Sequence, residues 1–248
     1  MGRWLTACLV LVAANLASAE FTPPPKHTAE YTIAMGPLTA ARVTTRFYPA
    51  GESAYLYRLH ARATGIVSLF AGEHLRERSR GRITDNGYQP QQYVSRRSGD
   101  DDKRAELEFD WQERRVRSNS GEPSWDLAMP EGTLDRLVSP LQLMHDLSVG
   151  GESERRMTYH IADDDEIKSY EVEIGQRDDV ATPAGRFEAV QVVRRSDDGD
   201  TETRLWCAPA LDYLPVKISQ REDGEDKVTL RLESIDGLSP DESVLSAR

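Results

Sequence analysis

Cysteine is almost absent from this chain, which has two cysteines in 248 residues. Cys8 lies in an apolar N-terminal segment that we expect to be removed, so Cys207 alone remains. One thiol excludes an intramolecular disulfide and a metal cluster built from cysteines. Because Cys207 follows Leu205 and Trp206 in an apolar run, we expect it to be a buried core residue and not a reactive thiol.

Long apolar runs are also missing, except at the N-terminus. Arg3 supplies a positive charge, residues 4–16 are mostly apolar, and Ala17-Ser18-Ala19 is a small-x-small cleavage site. This pattern predicts a secretory signal peptide over residues 1–19, cleavage after Ala19 and a periplasmic protein. No later segment has the length that a membrane helix needs, so we expect a soluble product that does not span the membrane.

An excess of positive charge is lacking as well. The chain has 31 Lys and Arg against 42 Asp and Glu, and loss of Arg3 makes it one unit more negative than its formal net charge of −11. This balance argues against nucleic acid as a partner, which requires a basic footprint, and against electrostatic docking on anionic lipid. A local basic patch could still meet an anionic partner.

The motifs of common catalytic and metal sites are absent. There is no Gly-x-Ser-x-Gly elbow and no glycine-rich phosphate loop, and none of the five histidines forms a pair four residues apart on a helix. We therefore predict no catalytic residues, no metal and no cofactor, and a protein that is not an enzyme. A hydrolase site assembled from distant residues, including His60 or His160, is an alternative that no sequence motif supports.

Alternation with a period of two dominates the rest of the chain and predicts strands with one buried face. Tyr55, Tyr57 and Leu59 alternate with polar residues, and Asp85-Asn86-Gly87 is a hairpin turn. The pattern predicts an all-β, mostly antiparallel fold: a strongly curved sheet or open β-barrel with one helix. A two-sheet sandwich is the alternative. We expect an extended leader over 20–28, a single β-rich domain over 29–238 and a loose tail over 239–248.

One segment has helical spacing. Ser139 is the predicted cap, Pro140 the first helical residue and Gln142 the capping-box residue, and Gly150-Gly151 ends the element. The apolar face of this helix would plug the concave side of the sheet, either as packed core or as the wall of a cavity for an acyl chain. The residues concerned are Leu141, Met144 and Leu147, with Leu69 and Phe70 as further lining.

A row of arginines is the most unusual feature. Arg76, Arg78, Arg80 and Arg82 would share one face of a strand, with neighbours roughly 6–7 Å apart. One interpretation is a site for an anion or a lipid headgroup at the mouth of a barrel. The other is a solvated face or a cross-strand ladder with carboxylates, for which the candidates are Glu106, Glu108 and Asp110.

Four motifs occur in an order and spacing that resemble the exported bacterial proteins called domain of unknown function 3108. They are Asp135–Leu141, Thr182–Phe187, Leu205–Pro209 and Leu214–Ile218. The resemblance implies a β-rich domain located in the cell envelope, and the family offers no established catalytic residues to carry over. A weaker, fold-level likeness is to periplasmic half-barrel lipoprotein carriers, in which a curved sheet wraps a helix and holds acyl chains.

These observations predict a soluble periplasmic protein that binds an apolar or amphipathic envelope component, such as a lipid, without catalysis. The alternative is a structural or interaction module that binds another envelope protein through a sheet edge or through its tyrosine-bearing face. The predicted ligand-binding residues are Arg76, Arg78, Arg80, Arg82, Leu141, Met144 and Leu147.

Overall fold

The computed structural model describes residues 22–51, 53–64, 74–99, 103–119, 124–150, 152, 155–163, 166–195 and 201–238. The predicted signal peptide, the C-terminal tail, and Leu69 with Phe70 lie outside the described residues. Of the predicted leader over 20–28, residues 22–28 are described: 22–26 carry no regular structure, and His27 and Thr28 already belong to the first strand.

Strands make up most of the described chain. In chain order they are β1 (His27–Met35), β2 (Leu38–Ala50), β3 (Ala54–Ala63), β4 (His74–Thr84), β5 (Gly87–Ser98), β6 (Lys103–Asp110), β7 (Arg115–Ser118), β8 (Trp125–Ala128), β9 (Leu134–Asp135), β10 (Arg156–Asp163), β11 (Glu166–Thr182), β12 (Gly185–Arg195), β13 (Thr201–Ala208), β14 (Leu214–Glu222) and β15 (Glu225–Asp236). One α-helix, α1 (Ser139–Gly150), separates β9 from β10, and a short 3-10 turn, Pro209–Leu211, follows β13.

All of these strands belong to one sheet, in the order β8-β7-β6-β5-β4-β3-β2-β1-β15-β14-β13-β12-β11-β10-β9. Neighbours are antiparallel except β9 and β10, which are parallel. The first strand, β1, lies in the middle of the sheet, because it pairs with both β2 and β15. The sheet is not closed, since β8 and β9 form its two edges. The predicted all-β fold with a curved open sheet and one helix is thus confirmed, with one sheet instead of the two of a sandwich.

The contacts of α1 show that the sheet is strongly curved. The helix contacts both β5 and β14, which are separated by five strands in the sheet. With neighbouring strands about 4.8 Å apart, a flat sheet would place β5 and β14 about 29 Å from each other. A helix with its side chains is only about 10–12 Å wide. The sheet therefore curls around the helix, and we call the side that packs against α1 the inner face and the opposite side the outer face.

The hydrogen bonds at the start of α1 differ from those that the sequence predicted. The helix begins at Ser139 as expected, but the Ser139 hydroxyl donates to the backbone oxygen of Arg136 at 3.1 Å instead of capping the helix. Gln142 accepts a hydrogen bond from the backbone N–H of Tyr88 at 2.9 Å, so it ties α1 to the β4–β5 hairpin. Gly87 permits this contact, because a Cβ there would lie 2.1 Å from the Gln142 side chain.

Two apolar clusters fill the space between the helix and the sheet. The larger contains Phe47, whose ring packs edge-on against Tyr57 and Tyr88 with centroids 6.2 Å away in each case. The smaller is formed by Leu147 with strands β10 to β13 and includes Cys207. Burial raises the pKa of the Cys207 thiol to about 12, so the thiol stays protonated. The prediction of an inert, buried cysteine is confirmed.

Candidate ligand-binding cleft and basic outer face

A cleft of about 370 Å³ lies between α1 and the inner face of the sheet. Its volume falls at the small end of the range for small-molecule sites, and most of its walls are apolar side chains. Strands from both halves of the curled sheet contribute to it, together with the segment that leads into α1. Its apolar lining includes Val43, Leu59, Met144, Leu214, Ile218 and Leu230, and its charged lining is Glu77, Arg97 and Arg136.

Arg136 is held at this cleft by a buried carboxylate. Its Nε donates to Oε1 of Glu77 at 2.9 Å, and the Tyr93 hydroxyl donates to the same oxygen at 2.8 Å. A second nitrogen of the guanidinium lies 3.5 Å from a carboxylate oxygen of Asp163. Arg136 thus joins β4 and β5 to β10 across the inside of the sheet, while 33% of its side chain remains exposed. The exposed part can contact a bound molecule.

The preceding residue, Asp135, fixes the backbone that presents Arg136. One carboxylate oxygen accepts the backbone N–H groups of Leu137 and Val138, both at 2.9 Å, and the other accepts the Ser79 hydroxyl at 2.5 Å. Ser79 in turn is 2.9 Å from the Tyr55 hydroxyl. Complete burial raises the pKa of Asp135 to about 7, and these hydrogen bonds oppose that rise. Asp135 therefore positions the turn and does not face the cleft solvent.

The tyrosines around the cleft are neutral. Burial raises the pKa of Tyr57 to about 12 and raises the pKa of Tyr31 well above its ordinary value. Both rings line the cleft, so they add apolar surface without negative charge. The predicted tyrosine-bearing face is consequently the inner face, where Tyr55, Tyr57 and Tyr93 are at most 5% exposed. These tyrosine side chains are therefore covered almost completely by the protein itself.

Arg97 is the second cation of the cleft. It follows Arg96 at the end of β5, so the alternation of the strand turns it to the inner face. Its strand neighbours are Leu75 and Lys103, and it forms no ion pair within the described part of the chain. The cleft thus combines apolar walls with two arginines, Arg97 without an ion pair in the described residues and Arg136 partly exposed. This arrangement suits an apolar molecule with an anionic end.

The structure divides the predicted helix residues between cleft and core. Met144 lines the cleft. Leu141 is 1% exposed and packs in the larger cluster, and Leu147 is fully buried in the smaller one. Sequence reasoning missed Glu77, Arg97 and Arg136. The signal for Arg136 was the Asp-Arg pair just before the helix, which the alternation of strands cannot place in space.

The predicted arginine row lies on the outer face, on the far side of the sheet from α1. Arg76, Arg78, Arg80 and Arg82 are all exposed and alternate with buried residues along β4. The row and the helix residues therefore cannot contact the same small ligand. The predicted ladder with carboxylates does not form, because β5 lies between β4 and β6. Instead, Glu106 pairs with Arg104, Asp110 pairs with Arg117, and Glu108 lies opposite Gln92.

The row belongs to a larger basic area, which we call the basic face. Strands β2 to β5 contain a single carboxylate, Glu77, and it points inward. Nine arginines are exposed on the outer face of these strands, and none forms an ion pair with a carboxylate in the described part of the chain. They are Arg42, Arg46, Arg58, Arg62, Arg76, Arg78, Arg80, Arg82 and Arg96.

The register sets these arginines directly opposite one another. Arg58 lies across from Arg46 on one side and from Arg78 on the other. Arg42 faces Arg62, and Arg76 faces Arg96. Like charges opposite each other across strands are destabilising. A face of this kind gains stability from anions supplied by another molecule.

His60 and His160, the histidines of the hydrolase alternative, lie on different strands, β3 and β10. His60 stacks on His74 with ring centroids 6.0 Å apart, and burial together with Arg76 and other cations lowers the pKa of His60. His160 contacts the Ser169 hydroxyl at 2.8 Å on the surface. The described residues contain no group of three or more His, Cys, Asp or Glu side chains arranged to hold a metal ion.

Comparison with protein families identifies the chain over most of its length. Residues 30–232 match the family described as Protein of unknown function (DUF3108). No curated protein matches the sequence. Within the described residues, no helix has the length and apolar character needed to cross a membrane.

Two solved structures are similar in fold. A beta-barrel-like protein of the domain of unknown function DUF1849 from Brucella abortus is 11% identical with a TM-score of 0.53, over 87% of this chain and 98% of that one. A protein with a YmcC-like fold from Bacteroides fragilis is 12% identical with a TM-score of 0.36, over 88% of this chain and 99% of that one. At such identities, the first likeness supports the β-barrel-like fold and carries nothing about function.

Proposed function

Since the chain belongs to the DUF3108 family of proteins of unknown function, we propose that it is a non-catalytic binding protein for an apolar or amphipathic molecule of the cell envelope. The observation that carries this proposal is the cleft between α1 and the inner face. Its walls are apolar, and Arg97 and Arg136 supply positive charge at its border. An acyl chain would lie against the apolar walls, and its anionic end would meet the arginines.

Export to the periplasm is part of the proposal. It is supported by the sequence pattern of residues 1–19, with Arg3, the apolar stretch and the site at Ala17-Ser18-Ala19. Mass spectrometry of the protein isolated from a periplasmic fraction tests it: the expected N-terminus is Glu20. Recovery of the unprocessed chain from the cytoplasm would contradict it.

Native mass spectrometry of the periplasmic protein, followed by organic extraction, tests the binding function. We expect a lipid or another apolar molecule to co-purify, and a fluorescent fatty acid to bind the emptied protein. Substitution Leu230→Trp places a large ring in the cleft and should reduce fatty-acid binding at least about tenfold, because filling the site removes the contacts of the ligand.

The matched control is Leu38→Trp, which makes the same change where the side chain is 53% exposed and outside the cleft. It should leave fatty-acid binding unchanged. A protein that carries no extractable molecule and binds no fatty acid would overturn the proposal. So would equal binding by the Leu230→Trp variant and the wild-type protein.

A further inference from the structure

We infer that the basic face is a docking surface for a membrane rich in anionic phospholipid. The surface consists of the outer side of β2 to β5 with its nine arginines. It goes beyond the proposed cleft function, because it lies on the opposite side of the sheet from the cleft and uses different residues.

The first support is the uncompensated charge. The arginines face one another across three strand interfaces, and only weak contacts relieve them. Arg78 donates to Gln92 at 3.3 Å, and the Arg58 guanidinium lies 5.8 Å from the centre of the Tyr48 ring. Elsewhere on the molecule many arginines are paired, although Arg114, Arg155 and Arg231 are exposed without an ion pair in the described part of the chain. Arg195 contacts both Glu173 and Glu202, at 2.8 and 3.2 Å. The concentration of nine unpaired arginines on four neighbouring strands therefore distinguishes this face from the rest of the described surface.

The second support is the shape of the array. Arg76 to Arg82 extend about 20 Å along β4, and the four strands span about 14 Å across. The charges therefore cover an area and not a line. In its centre is a groove of about 330 Å³ bordered by Arg46, Arg58, Arg76, Arg78 and Arg96. An area of cations with a central groove matches a plane of phosphate groups, several of which it can contact at once.

The third support is the relation between this face and the cleft. Consecutive residues at the ends of β4 and β5 point to opposite sides: Arg76 and Arg96 lie on the basic face, while Leu75 and Arg97 line the cleft. A membrane held against the basic face would lie beside the cleft border. The choice of a lipid surface as the occupant, over another polyanion, rests in part on the proposed function.

The acidic net charge does not prevent such docking. At physiological ionic strength charges are screened beyond about 8 Å, so only residues near the contact contribute strongly. The nearest carboxylates form the borders of the face: Glu30 and Glu233 line a groove at its β2 side, together with Arg42 and Arg62. On the other side, Glu108 and Asp110 line a pocket together with Arg80 and Arg82, and Glu106 is paired with Arg104. The excess of carboxylates over the rest of the chain would keep the other surfaces away from the lipid, so it would orient the protein.

Co-sedimentation of the mature protein with vesicles tests the inference. We expect binding to vesicles of phosphatidylglycerol and phosphatidylcholine in equal parts, weaker binding as salt rises, and none to phosphatidylcholine alone. Each basic side chain near an anionic surface contributes a factor of about five in affinity. The quadruple variant Arg76→Gln, Arg78→Gln, Arg80→Gln and Arg82→Gln should therefore bind several hundred-fold more weakly.

The matched control removes the same number of positive charges from paired positions: Arg156→Gln, Arg177→Gln, Arg186→Gln and Arg195→Gln. It should retain vesicle binding within about threefold, because the control residues lie outside the contact. Equal loss in both variants would show that net charge alone decides binding and would overturn the inference. So would absence of binding by the wild-type protein, or equally tight binding of a single-stranded oligonucleotide or of polyglutamate.

Two further measurements distinguish loss of vesicle docking from misfolding and from loss of fatty-acid binding. If the quadruple glutamine variant does not fold, the corresponding lysine variant keeps the charge and should bind vesicles like the wild-type protein. Fatty-acid binding by the quadruple glutamine variant should be unchanged, since none of its residues lines the cleft. Conversely, Leu230→Trp should still bind vesicles. Failure of the docking inference and failure of the cleft function would thus be seen in different assays.

Discussion

Strand β4 has two faces that handle charge in opposite ways. Its inner side carries Glu77 and Ser79, which are buried and bonded to Arg136 and Asp135. Its outer side carries four exposed arginines without carboxylate partners in the described part of the chain. A buried charge must be paired because its desolvation is costly. An exposed charge is solvated by water and can therefore remain unpaired until another molecule binds it. The comparison teaches that the inner polar residues serve the fold and the outer ones are available for binding.

The largest expected effect is the loss of stability when Arg136 is replaced. The change Arg136→Met leaves the Glu77 carboxylate buried without its cation, and we expect unfolding to become easier by about 3 kcal/mol or more. Arg76→Met, the same change one residue from Glu77 but on the outer face, should alter stability by no more than about 0.5 kcal/mol. Urea denaturation measures both, and equal losses would abolish the distinction between the two faces.

The next test uses the raised pKa of Asp135. Burial raises this pKa from 3.8 to about 7, so between these values the folded protein holds a proton that the unfolded chain releases. The contribution of Asp135 to stability is therefore complete below the lower value and is lost as the pH rises through the higher one. Over this window we expect a loss on the order of 2–4 kcal/mol. Asp135→Asn should remove that component of the pH dependence.

Urea denaturation at several pH values measures this effect as the difference between the wild-type protein and the variant. The control is Asp126→Asn, because Asp126 is exposed and pairs with Arg115 and Arg117. Its pKa is lowered, first by the hydrogen bond from Arg115, so its small contribution appears above its ordinary pKa and is lost in acid. A pH profile that Asp135→Asn leaves unchanged would exclude a buried, protonatable Asp135.

A smaller test compares like-charged and oppositely charged neighbours on the outer face. Arg58→Gln relieves repulsion from Arg46 and Arg78 and should stabilise the fold by up to about 1 kcal/mol. Arg195→Gln breaks contacts with Glu173 and Glu202 and should destabilise it by up to about 1 kcal/mol. Thermal unfolding at low salt shows both signs. The same sign in both variants would mean that the basic face is not under electrostatic strain.

The smallest expected effect is a shift in the pKa of His60, which depends on the positive charge of the basic face. Burial lowers the pKa of His60, and Arg76 is the largest of the charges that lower it further. Arg76→Gln should raise this pKa, which an NMR titration of the imidazole measures. Anionic vesicles should shift it in the same direction in the wild-type protein. A His60 pKa that responds to neither change would remove the evidence that the arginines act together.

The sequence could have revealed more of the basic face than it did. Arg58 and Arg62 alternate with apolar residues in the same way as the row on β4, and the scarcity of carboxylates from β2 to β5 is visible in the chain itself. Counting charge over the whole chain concealed this local imbalance. By contrast, the bonds of Asp135 and Arg136 to β4 join residues 56 and 59 positions apart, which no periodicity predicts.

The short elements β8 and β9 were also absent from the sequence prediction. Trp125–Ala128 and Leu134–Asp135 are too brief for alternation to be recognised, and they become strands only because longer neighbours offer backbone groups to pair with. The two elements form the edges of the sheet. Short edge strands limit the unpaired backbone available to other chains, which weakens the alternative of binding through a sheet edge.

By itself, the sequence determined which side chains of each strand share a face, where α1 begins and that Cys207 is buried, because these depend on local periodicity and hydrophobicity. The tertiary structure decided which elements each of those faces packs against. It placed β1 beside β15, curled the sheet around α1, separated the arginine row from Met144 and brought Arg97 and Arg136 to one cleft. These outcomes depend on pairing between strands distant in the chain and on burial, which exist only once the sheet has assembled.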